Sequence, residues 1–396
     1  MYMTWEYSTL KEQRFQLINA YLNNLDSMTN LCKRYKVSRK TAYKWCKRFL
    51  DGGKSALKDL SKAPHNPKTL YREEIFQQAI DLKLRKRNWG PKKILARLSK
   101  DFPDINWPCP THLYEIFKEH HLVCSRKLRR RVPATAPLGD VSACNDTWAI
   151  DFKGWFLTGD GQKCEPLTLT DSFSRYLLCC THLKKHKVEY VWPILAEAFK
   201  EYGLPNKIRS DNGPPFATVG AGRLSALSVN LIKAEVIPEW ITPGCPEENG
   251  RHERFHLTLK QDIASPPMDT LALQIQKMNE FQEEYNFERP HEALDVATPG
   301  ECYRTSKKTW DGVLRSPEYD TREFEVRKVC QSGCIWLNQQ EHYIGQTLVG
   351  EYVGLKSNES GSKEVYYGPI YLGLIDQSIG LNKPKRKTRR RKKNRH

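Results

Sequence analysis

Three acidic residues occur where their carboxylates could act together. Asp151 ends the apolar run 147–151, Asp211 ends the run 207–211, and Glu253 lies in a segment with helical spacing. Three carboxylates that converge repel one another unless divalent cations neutralise them. Two cations roughly 3.5–4 Å apart would hold the attacking and leaving oxygens of a phosphodiester in line. The pattern predicts metal-dependent phosphoryl transfer, although each carboxylate taken alone is more typical of a solvated surface group.

The segments that carry these residues have the pattern of an α/β domain. Short strand-like runs with turn residues between them come first, and helices then alternate with a further strand. This order predicts a mixed sheet covered by helices. The predicted strands are 147–151, 167–171, 176–181 and 207–211, and the predicted helices are 188–202, 222–233, 250–263 and 270–285.

The N-terminal segment is helical, and its last helix is basic. Apolar residues recur at helical spacing over 10–25, 29–35 and 39–50, and Ser38 is a good N-cap for the third helix. A short helix, a three-residue break and a basic helix predict a DNA-binding helix-turn-helix. The alternative is a three-helix bundle with a solvated basic face. The candidate DNA contacts are Arg39, Lys40 and Lys44.

A second helical block follows a Pro-containing linker and resembles another helix-turn-helix. Its predicted helices are 73–87, 94–99 and 111–120. Lys92, Lys93 and Arg97 are predicted to be exposed on its middle helix. Two such modules would read a longer DNA site than one.

The C-terminal part returns to short strands, which predict a small β-barrel. These strands are 324–329, 334–337, 343–349 and 351–355. Cys330, Cys334 and His342 could be three zinc ligands, but no fourth ligand lies in obvious register. Ten Lys or Arg residues and no acidic residue occur in 383–396, which indicates a disordered tail that binds a polyanion or only keeps the chain soluble.

The predicted fold class is therefore multidomain, with α-helical modules, an α/β core and a small β-barrel. The predicted divisions are a helix-turn-helix domain 1–60, a linker 61–70, a second helix-turn-helix-like domain 71–128, a linker 129–143, a catalytic core 144–305, a β-barrel 322–375 and a basic disordered tail 376–396.

The composition narrows the class of protein. The chain has 396 residues, 28% of them charged, and a formal net charge of +18. This excess predicts a nucleic-acid partner. No apolar run is long enough to span a membrane, the N-terminus lacks a signal-peptide pattern, and the twelve cysteines form no Cys-x-x-Cys motif. These features predict a cytoplasmic, nucleoid-associated protein with free thiols.

The motifs around the carboxylates resemble the integrase-core transposases, which are the retroviral-integrase-like DDE enzymes of bacterial insertion sequences. The matching segments are Trp-Ala-Ile-Asp-Phe at 148–152, Ser-Asp-Asn-Gly-Pro-Pro-Phe at 210–216, Pro-Glu-Glu-Asn-Gly-Arg-His-Glu-Arg-Phe-His at 246–256 and Asn-Phe-Glu-Arg-Pro-His-Glu-Ala-Leu at 286–294. With the helical modules in front, the resemblance covers most of the chain.

This resemblance implies an RNase H-like core that binds two Mg²⁺ or Mn²⁺ ions through Asp151, Asp211 and Glu253. It also implies a polynucleotidyl transferase that cleaves the ends of a mobile element and joins the 3′-hydroxyl to target DNA. Lys260 follows Glu253 by two helical turns and would hold a DNA phosphate, and Asn249 would contact the DNA end. The implied partner is double-stranded DNA, bound by a homo-oligomer. A metal-dependent nuclease without joining activity and a catalytically inactive DNA-binding regulator are the alternatives.

The third carboxylate has two candidates. The spacing usual in the resembling family leaves 35 residues after Asp211 and selects Glu247, whereas Glu253 leaves 41. Glu247 lies in a segment broken by Pro246 and by Asn249-Gly250, while Glu253 lies within the following helix. The sequence therefore favours Glu253 and predicts an insert around 217–222. Three neighbouring side chains lie outside the predicted metal site. Asp171 could support a metal or cap a turn, and His252 and His256 are expected to pack or contact DNA rather than bind metal.

Overall fold

The structure, a computed structural model, describes residues 9–60, 71, 73–123, 139, 141–359, 361–376 and 380–383. The predicted linker 61–70, most of the linker 129–143 and residues 384–396 of the predicted tail lie outside this range. The chain divides into two compact units, Met1–Leu70 and Tyr71–His396. Among the described residues, no helix combines the length and the apolar character needed to cross a membrane.

The first unit contains three helices, α1 (Leu10–Leu22), α2 (Met28–Arg34) and α3 (Arg39–Gly52). Each begins at a hydroxyl residue whose side chain accepts a hydrogen bond from a backbone amide of the first turn, and Ser38 does so for α3 at 3.1 Å. Ile18, Leu31 and Leu57 are buried between the helices. The three predicted helices and the predicted N-cap are confirmed.

The second unit begins with another three-helix module, formed by α4 (Glu73–Arg85), α5 (Pro91–Asp101) and α6 (Pro110–Glu119). Proline at the first position of α5 and α6 suits a helix start, because the amide that proline lacks would have no partner there. Trp89, Ile94 and Phe117 form the centre of this module. The predicted helices are confirmed.

A five-stranded mixed sheet lies at the centre of the second unit. Its strands are β1 (Thr147–Phe152), β4 (Pro166–Asp171), β5 (Leu177–His182), β6 (Lys207–Ser210) and β7 (Ile237–Trp240), and a small hairpin of β2 (Phe156–Leu157) and β3 (Lys163–Cys164) precedes β4. The order is β5-β4-β1-β6-β7, with β1 antiparallel to β4 and parallel to β6. The predicted mixed sheet is confirmed, and β7 is an addition to it.

Helices cover both faces of this sheet. They are α7 (Val188–Tyr202), α8 (Ala226–Lys233), α9 (Gly250–Ile263), α10 (Leu271–Glu283) and the short α11 (Pro299–Cys302). Leu178 of β5 is buried with α7 and α8, while its neighbour Leu177 is buried with α9 and α10. Successive strand residues point to opposite faces, so the two helix pairs lie on opposite sides of the sheet.

The module α4–α6 is docked on this core through its polar side chains. Asn88 Nδ2 donates to Asp262 Oδ1 at the end of α9 at 2.6 Å, and Lys86 Nζ lies 2.7 Å from Glu284 Oε2. Lys100 Nζ lies 2.7 Å from Glu301 Oε1 in α11. These contacts fix the module against the segment that follows α9.

The C-terminal strands form an open sheet. They are β8 (Glu325–Lys328), β9 (Cys334–Leu337), β10 (Gln340–Tyr343), β11 (Tyr352–Ser357), β12 (Lys363–Tyr367), β13 (Ile370–Asp376) and β14 (Gly380–Asn382). Five strands pair in the order β14-β13-β12-β11-β8, while β9 and β10 pair only with each other. The hairpin contacts the two edge strands without extending their ladders. The closed barrel is therefore not confirmed for the described residues.

Two details of this region correct the sequence prediction. The predicted strand 343–349 is wrong, because the chain leaves β10 through Gly345, at φ 155°, and enters the 3-10 turn Gln346–Leu348. The predicted tail does not begin at 376, because Gly380–Asn382 pairs with β13.

The C-terminal sheet packs on the core through the segment that precedes α8. Ala221 and Leu224 are buried with Val353 and Leu372 of the sheet. Gly222 has φ 58°, and a Cβ there would lie 2.6 Å from Leu372 Cδ2. The predicted insert 217–222 therefore overlaps the segment that contacts the C-terminal sheet, and its being an insert stays a prediction.

Candidate active site

Asp151 and Asp211 lie at the same edge of the central sheet. In the parallel pair β1–β6, Trp148 is opposite Ile208 and Ala149 is opposite Arg209. Continuing this register brings Asp151, near the end of β1, level with Asp211, which directly follows β6. The carboxyl ends of two adjacent parallel strands therefore present one carboxylate each.

The first turn of α9 brings Glu253 to this edge. Phe255 and Leu259 bury one side of the helix, and Glu253 remains exposed. Burial, followed by the negative charges of Asp211 and Glu253, raises the pKa of Asp151 to about 7, while a hydrogen bond from the Phe152 amide acts in the opposite sense. The electrostatic effect of both carboxylates on Asp151 indicates that the three groups face a common space.

The structure describes the side chain of Glu253 but not that of its alternative, Glu247. Glu253 is on α9 and acts on Asp151. Glu247 belongs to the 3-10 turn Pro246–Asn249, and its side chain lies outside the described residues.

Two lysines accompany the carboxylates. Burial lowers the pKa of Lys153, the nearby charge of Lys260 lowers it further, and the Asp151 carboxylate acts in the opposite sense. Two ammonium groups and a carboxylate therefore lie close together at this edge. Lys260 was predicted from the sequence. Lys153 was missed, and its position two residues after Asp151 on an extended chain was the available signal.

Next to the carboxylates, two histidines form hydrogen bonds with threonine side chains of β4. His252 is 1% exposed, and its Nε2 and Nδ1 lie 2.8 Å from Thr168 Oγ1 and 2.9 Å from Thr170 Oγ1. His256 Nε2 lies 2.9 Å from the same Thr168 hydroxyl, and its Nδ1 lies 3.9 Å from Asp151 Oδ2. Burial, followed by Lys153, lowers the pKa of His256 to about 3, so the ring is neutral at physiological pH.

The remaining predicted residues occupy different settings. Asn249 is only 7% exposed and directly precedes α9. Arg39, Lys40 and Lys44 are exposed on α3 in the other unit, where Arg39 Nη2 donates to Thr29 Oγ1 at 3.0 Å. Asp171 caps a turn: its Oδ2 accepts the Ser174 amide at 2.7 Å.

The basic face predicted on α5 is partly turned toward the core. Lys92 is exposed, and Arg97 pairs with Asp101. Lys93 is largely covered, and burial, followed by the charge of Arg289, lowers its pKa to about 8. The prediction that Lys93 is exposed is wrong, because α5 uses this side to dock.

The described residues contain one group of three potential metal ligands whose ligand atoms lie within 4.8 Å of one another, namely Asp151, His252 and His256. Cys330, Cys334 and His342 do not form such a group there, so the zinc alternative gains no support.

Comparison with known sequences agrees with this geometry. Residues 142–244 and 234–299 match two family profiles, both described as an integrase core domain, and residues 13–65 match a helix-turn-helix domain. An uncharacterized protein of insertion element IS476 from Xanthomonas euvesicatoria is 25% identical over 245 residues, which are 59% of this chain and 67% of the relative. An uncharacterized protein of insertion element IS407 from Burkholderia multivorans is 24% identical over 247 residues, which are 60% and 84% of the two chains.

A solved structure of the HTLV-2 integrase catalytic core domain in complex with magnesium also aligns. It is 15% identical, covers 41% of this chain and 98% of that chain, and has a TM-score of 0.30. The sequence profiles confirm the predicted helix-turn-helix domain and the predicted integrase core.

Proposed function

We propose that this chain, an insertion-element homologue with an integrase core and a helix-turn-helix domain, is a DNA transposase. It would cleave the ends of its element and join the freed 3′-hydroxyl strands to target DNA. The observation that carries the proposal is the convergence of Asp151, Asp211 and Glu253 at one edge of the integrase-core sheet.

The carboxylates suit a pair of hard divalent cations. Burial first, and then repulsion by Asp211 and Glu253, raises the pKa of Asp151 to about 7, and bound cations would relieve this repulsion. Carboxylate oxygens are the ligands that Mg²⁺ and Mn²⁺ prefer. Two such ions held by Asp151, Asp211 and Glu253 would supply Lewis-acid activation at the attacking and leaving oxygens of a phosphodiester.

The protein's own groups would then position DNA for two successive in-line reactions. Lys153 and Lys260 lie beside the carboxylates and would bind phosphates next to the scissile bond. Water attacks phosphorus in the first reaction, and the 3′-hydroxyl of the cut strand attacks in the second. Neither reaction needs a covalent protein–DNA intermediate, so no serine or tyrosine nucleophile is required.

The N-terminal helical module, α1–α3, would select the DNA. The exposed basic residues of α3, Arg39, Lys40 and Lys44, would contact the element ends. Two ends must be held together for joining to one target, so a homo-oligomer on DNA is part of the proposal. Contact between Asn249 and a DNA end would require its buried side chain to become accessible.

The test uses purified full-length protein, Mg²⁺ and labelled duplexes taken from the DNA that flanks its gene. Wild-type protein is expected to nick at the element end and to join labelled strands to a plasmid. Asp151→Asn, Asp211→Asn and Glu253→Gln are each expected to abolish both reactions while end binding persists. Glu247→Gln is the matched control and should remain active.

Three outcomes would change the assignment. Nicking without joining would indicate a nuclease, and binding without either reaction would indicate a regulator. An active Glu253→Gln beside an inactive Glu247→Gln would reverse the choice of the third carboxylate.

A further inference from the structure

The Thr168 hydroxyl has three hydrogen-bonding neighbours. Its Oγ1 lies 3.1 Å from the Asp151 carbonyl oxygen, 2.8 Å from His252 Nε2 and 2.9 Å from His256 Nε2. A hydroxyl has one proton and two lone pairs, whereas a carbonyl oxygen can only accept. All three contacts are satisfied only when Thr168 donates to the carbonyl and both imidazole rings donate Nε2–H to Thr168.

This assignment fixes the other nitrogen of each ring. His252 Nδ1 is an acceptor, and the Thr170 hydroxyl, 2.9 Å away, donates to it. His256 Nδ1 carries a lone pair as well, but it faces Asp151 Oδ2 at 3.9 Å. Two electron-pair donors, His256 Nδ1 and Asp151 Oδ2, therefore lie 3.9 Å apart, and the charges of Asp211 and Glu253 act on the same Asp151 carboxylate.

We propose that His256 Nδ1 and Asp151 Oδ2 bind the same divalent cation, which makes His256 a metal ligand in addition to the three carboxylates. The proposal rests on the metal centre of the proposed function. Two ligand bonds of about 2.1 Å span at most ~4.2 Å, so one ion fits between two atoms 3.9 Å apart.

The surroundings of His256 support this role. His256 is three residues after Glu253 on α9, so both side chains lie on the same face of the helix. Its Nε2–H donates to Thr168, and a ligand histidine normally has its second nitrogen held in this way. His252 resembles it in sequence but has both nitrogens occupied within the fold.

A mixed set of carboxylate and imidazole ligands changes the preferred ion. Imidazole nitrogen binds first-row transition-metal ions, Mn²⁺ included, more readily than Mg²⁺, which prefers oxygen ligands. The centre of this protein is therefore expected to select Mn²⁺ over Mg²⁺ more strongly than a centre made of carboxylates alone.

The direct test is pulsed electron paramagnetic resonance of Mn²⁺ bound to the full-length protein without DNA. Wild-type protein should show modulation from a directly bound ¹⁴N nucleus, and ¹⁵N-labelled histidine should replace it with the ¹⁵N pattern. This measurement on the wild-type chain does not depend on any variant folding. His186→Gln, which removes an imidazole stacked on Phe152 at 3.8 Å, should leave the signal unchanged.

His256→Gln refines the test, because its amide nitrogen can still donate to Thr168. We expect Mn²⁺ affinity to fall by roughly 10-fold, Mg²⁺ affinity to change less, and the nitrogen modulation to disappear. The melting temperature of the metal-free variant would be compared with that of wild type to establish that it is folded.

The outcomes separate this inference from the proposed function. Mn²⁺ bound without nitrogen modulation, or modulation that persists in His256→Gln, would overturn the role of His256 and leave the carboxylate centre intact. Nitrogen modulation in a protein that neither nicks nor joins DNA would support His256 as a ligand and overturn the transposase assignment. No Mn²⁺ binding at all would overturn both.

Discussion

The modules α1–α3 and α4–α6 each contain three short helices, one of which is basic. The cations of the two modules have different partners. In α1–α3, Lys40 and Lys44 are exposed on α3, within a unit that is compact by itself. In α4–α6, Lys86 and Lys100 pair with Glu284 and Glu301 of the core in the same unit. One module presents its charge to solvent, while the other uses part of its charge to dock.

The difference shows that the positive charges on a basic helix can be stabilised in two ways. A cation on a helix surface is stabilised either by solvent and a polyanion or by acidic groups of a neighbouring element. The acidic partners of α4–α6 lie about two hundred positions away in the chain, and only the fold brings them close. The comparison predicts that α3 binds DNA and that α5 mainly supports the core.

The largest expected effect is on DNA affinity. The double substitution Lys40→Glu and Lys44→Glu should weaken binding to element-end DNA by roughly 100-fold, because each lost contact costs about 1–3 kcal/mol. Fluorescence anisotropy at several salt concentrations would measure this loss and the accompanying fall in salt dependence.

The matched control is Lys92→Glu with Arg97→Glu on α5, which changes the net charge by the same amount. Its affinity should fall by less than about 10-fold, through weakened long-range attraction alone. Equal losses of DNA affinity in the two double variants would show that both modules bind DNA, which would contradict the difference inferred between them.

The second effect concerns the docking contacts of α4–α6. Asp262 accepts hydrogen bonds from Arg289 Nη1 at 2.7 Å and from Asn88 Nδ2 at 2.6 Å, and the Arg289 side chain is 6% exposed. Asp262→Ala would leave a buried guanidinium without this partner, so α5 and α9 should lose about 3 kcal/mol of local stability. Hydrogen exchange on the full chain would measure it.

The corresponding exposed pair in the other unit provides the control. Asp59 is 67% exposed and lies 2.9 Å from Arg14. Asp59→Ala should cost less than about 1 kcal/mol, because Asp59 is largely solvated and Arg14 keeps its hydrogen bond to the Leu57 carbonyl oxygen. If protection of α5 were unaffected in Asp262→Ala, the docking would depend on apolar contacts instead.

A third prediction concerns Lys93, which lies on the side of α5 that faces the core. Burial there destabilises the charged form of its ammonium group. Its pKa is lowered from 10.5 to about 8 by burial first and then by Arg289 and Arg254, against Glu292 and Asp262. Between these two pH values the unfolded chain binds more protons, so the stability from this group rises with pH through that window.

Lys93→Met should therefore stabilise the second unit at pH 7 by about 1–2 kcal/mol, after allowance for solvent screening. The gain should disappear above pH 10.5, where lysine is neutral in both states. Thermal unfolding at pH 7 and pH 11 would measure it, and an equal gain at both values would assign the effect to packing rather than to charge.

The fold was largely predictable because the determining patterns are local. Helical spacing predicted α3 with Ser38 as its N-cap, and α7 and α9 were predicted with the observed bounds. The barrel was not confirmed and the strand at 343–349 was wrong, because strand pairing and the Gly345 turn depend on long-range contacts that a short run of apolar residues does not specify.

The positions of the candidate site residues were predictable where a sequence motif coincides with the end of a strand or the start of a helix. Asp151 and Asp211 follow from strand ends, and Glu253 follows from a helix start. The link from Thr168 to His252 and His256 was not predictable, because it joins residues 84 and 88 positions apart. Lys93 was wrongly predicted to be exposed for the same reason. The charged groups around it, such as Asp262 and Arg289, come from segments more than 160 positions later in the chain.

The smallest expected effect tests whether surface charge alone holds the docked module. Lys100 and Glu301 pair at 2.7 Å, but their side chains are 53% and 47% exposed. Glu301 also accepts the Thr298 amide at 2.8 Å, so it has a structural partner without Lys100. Lys100→Ala should therefore cost no more than about 0.5 kcal/mol, measured by hydrogen exchange of α5. A loss as large as that of Asp262→Ala would mean that exposed pairs hold the module, and α4–α6 would then be expected to detach at high salt.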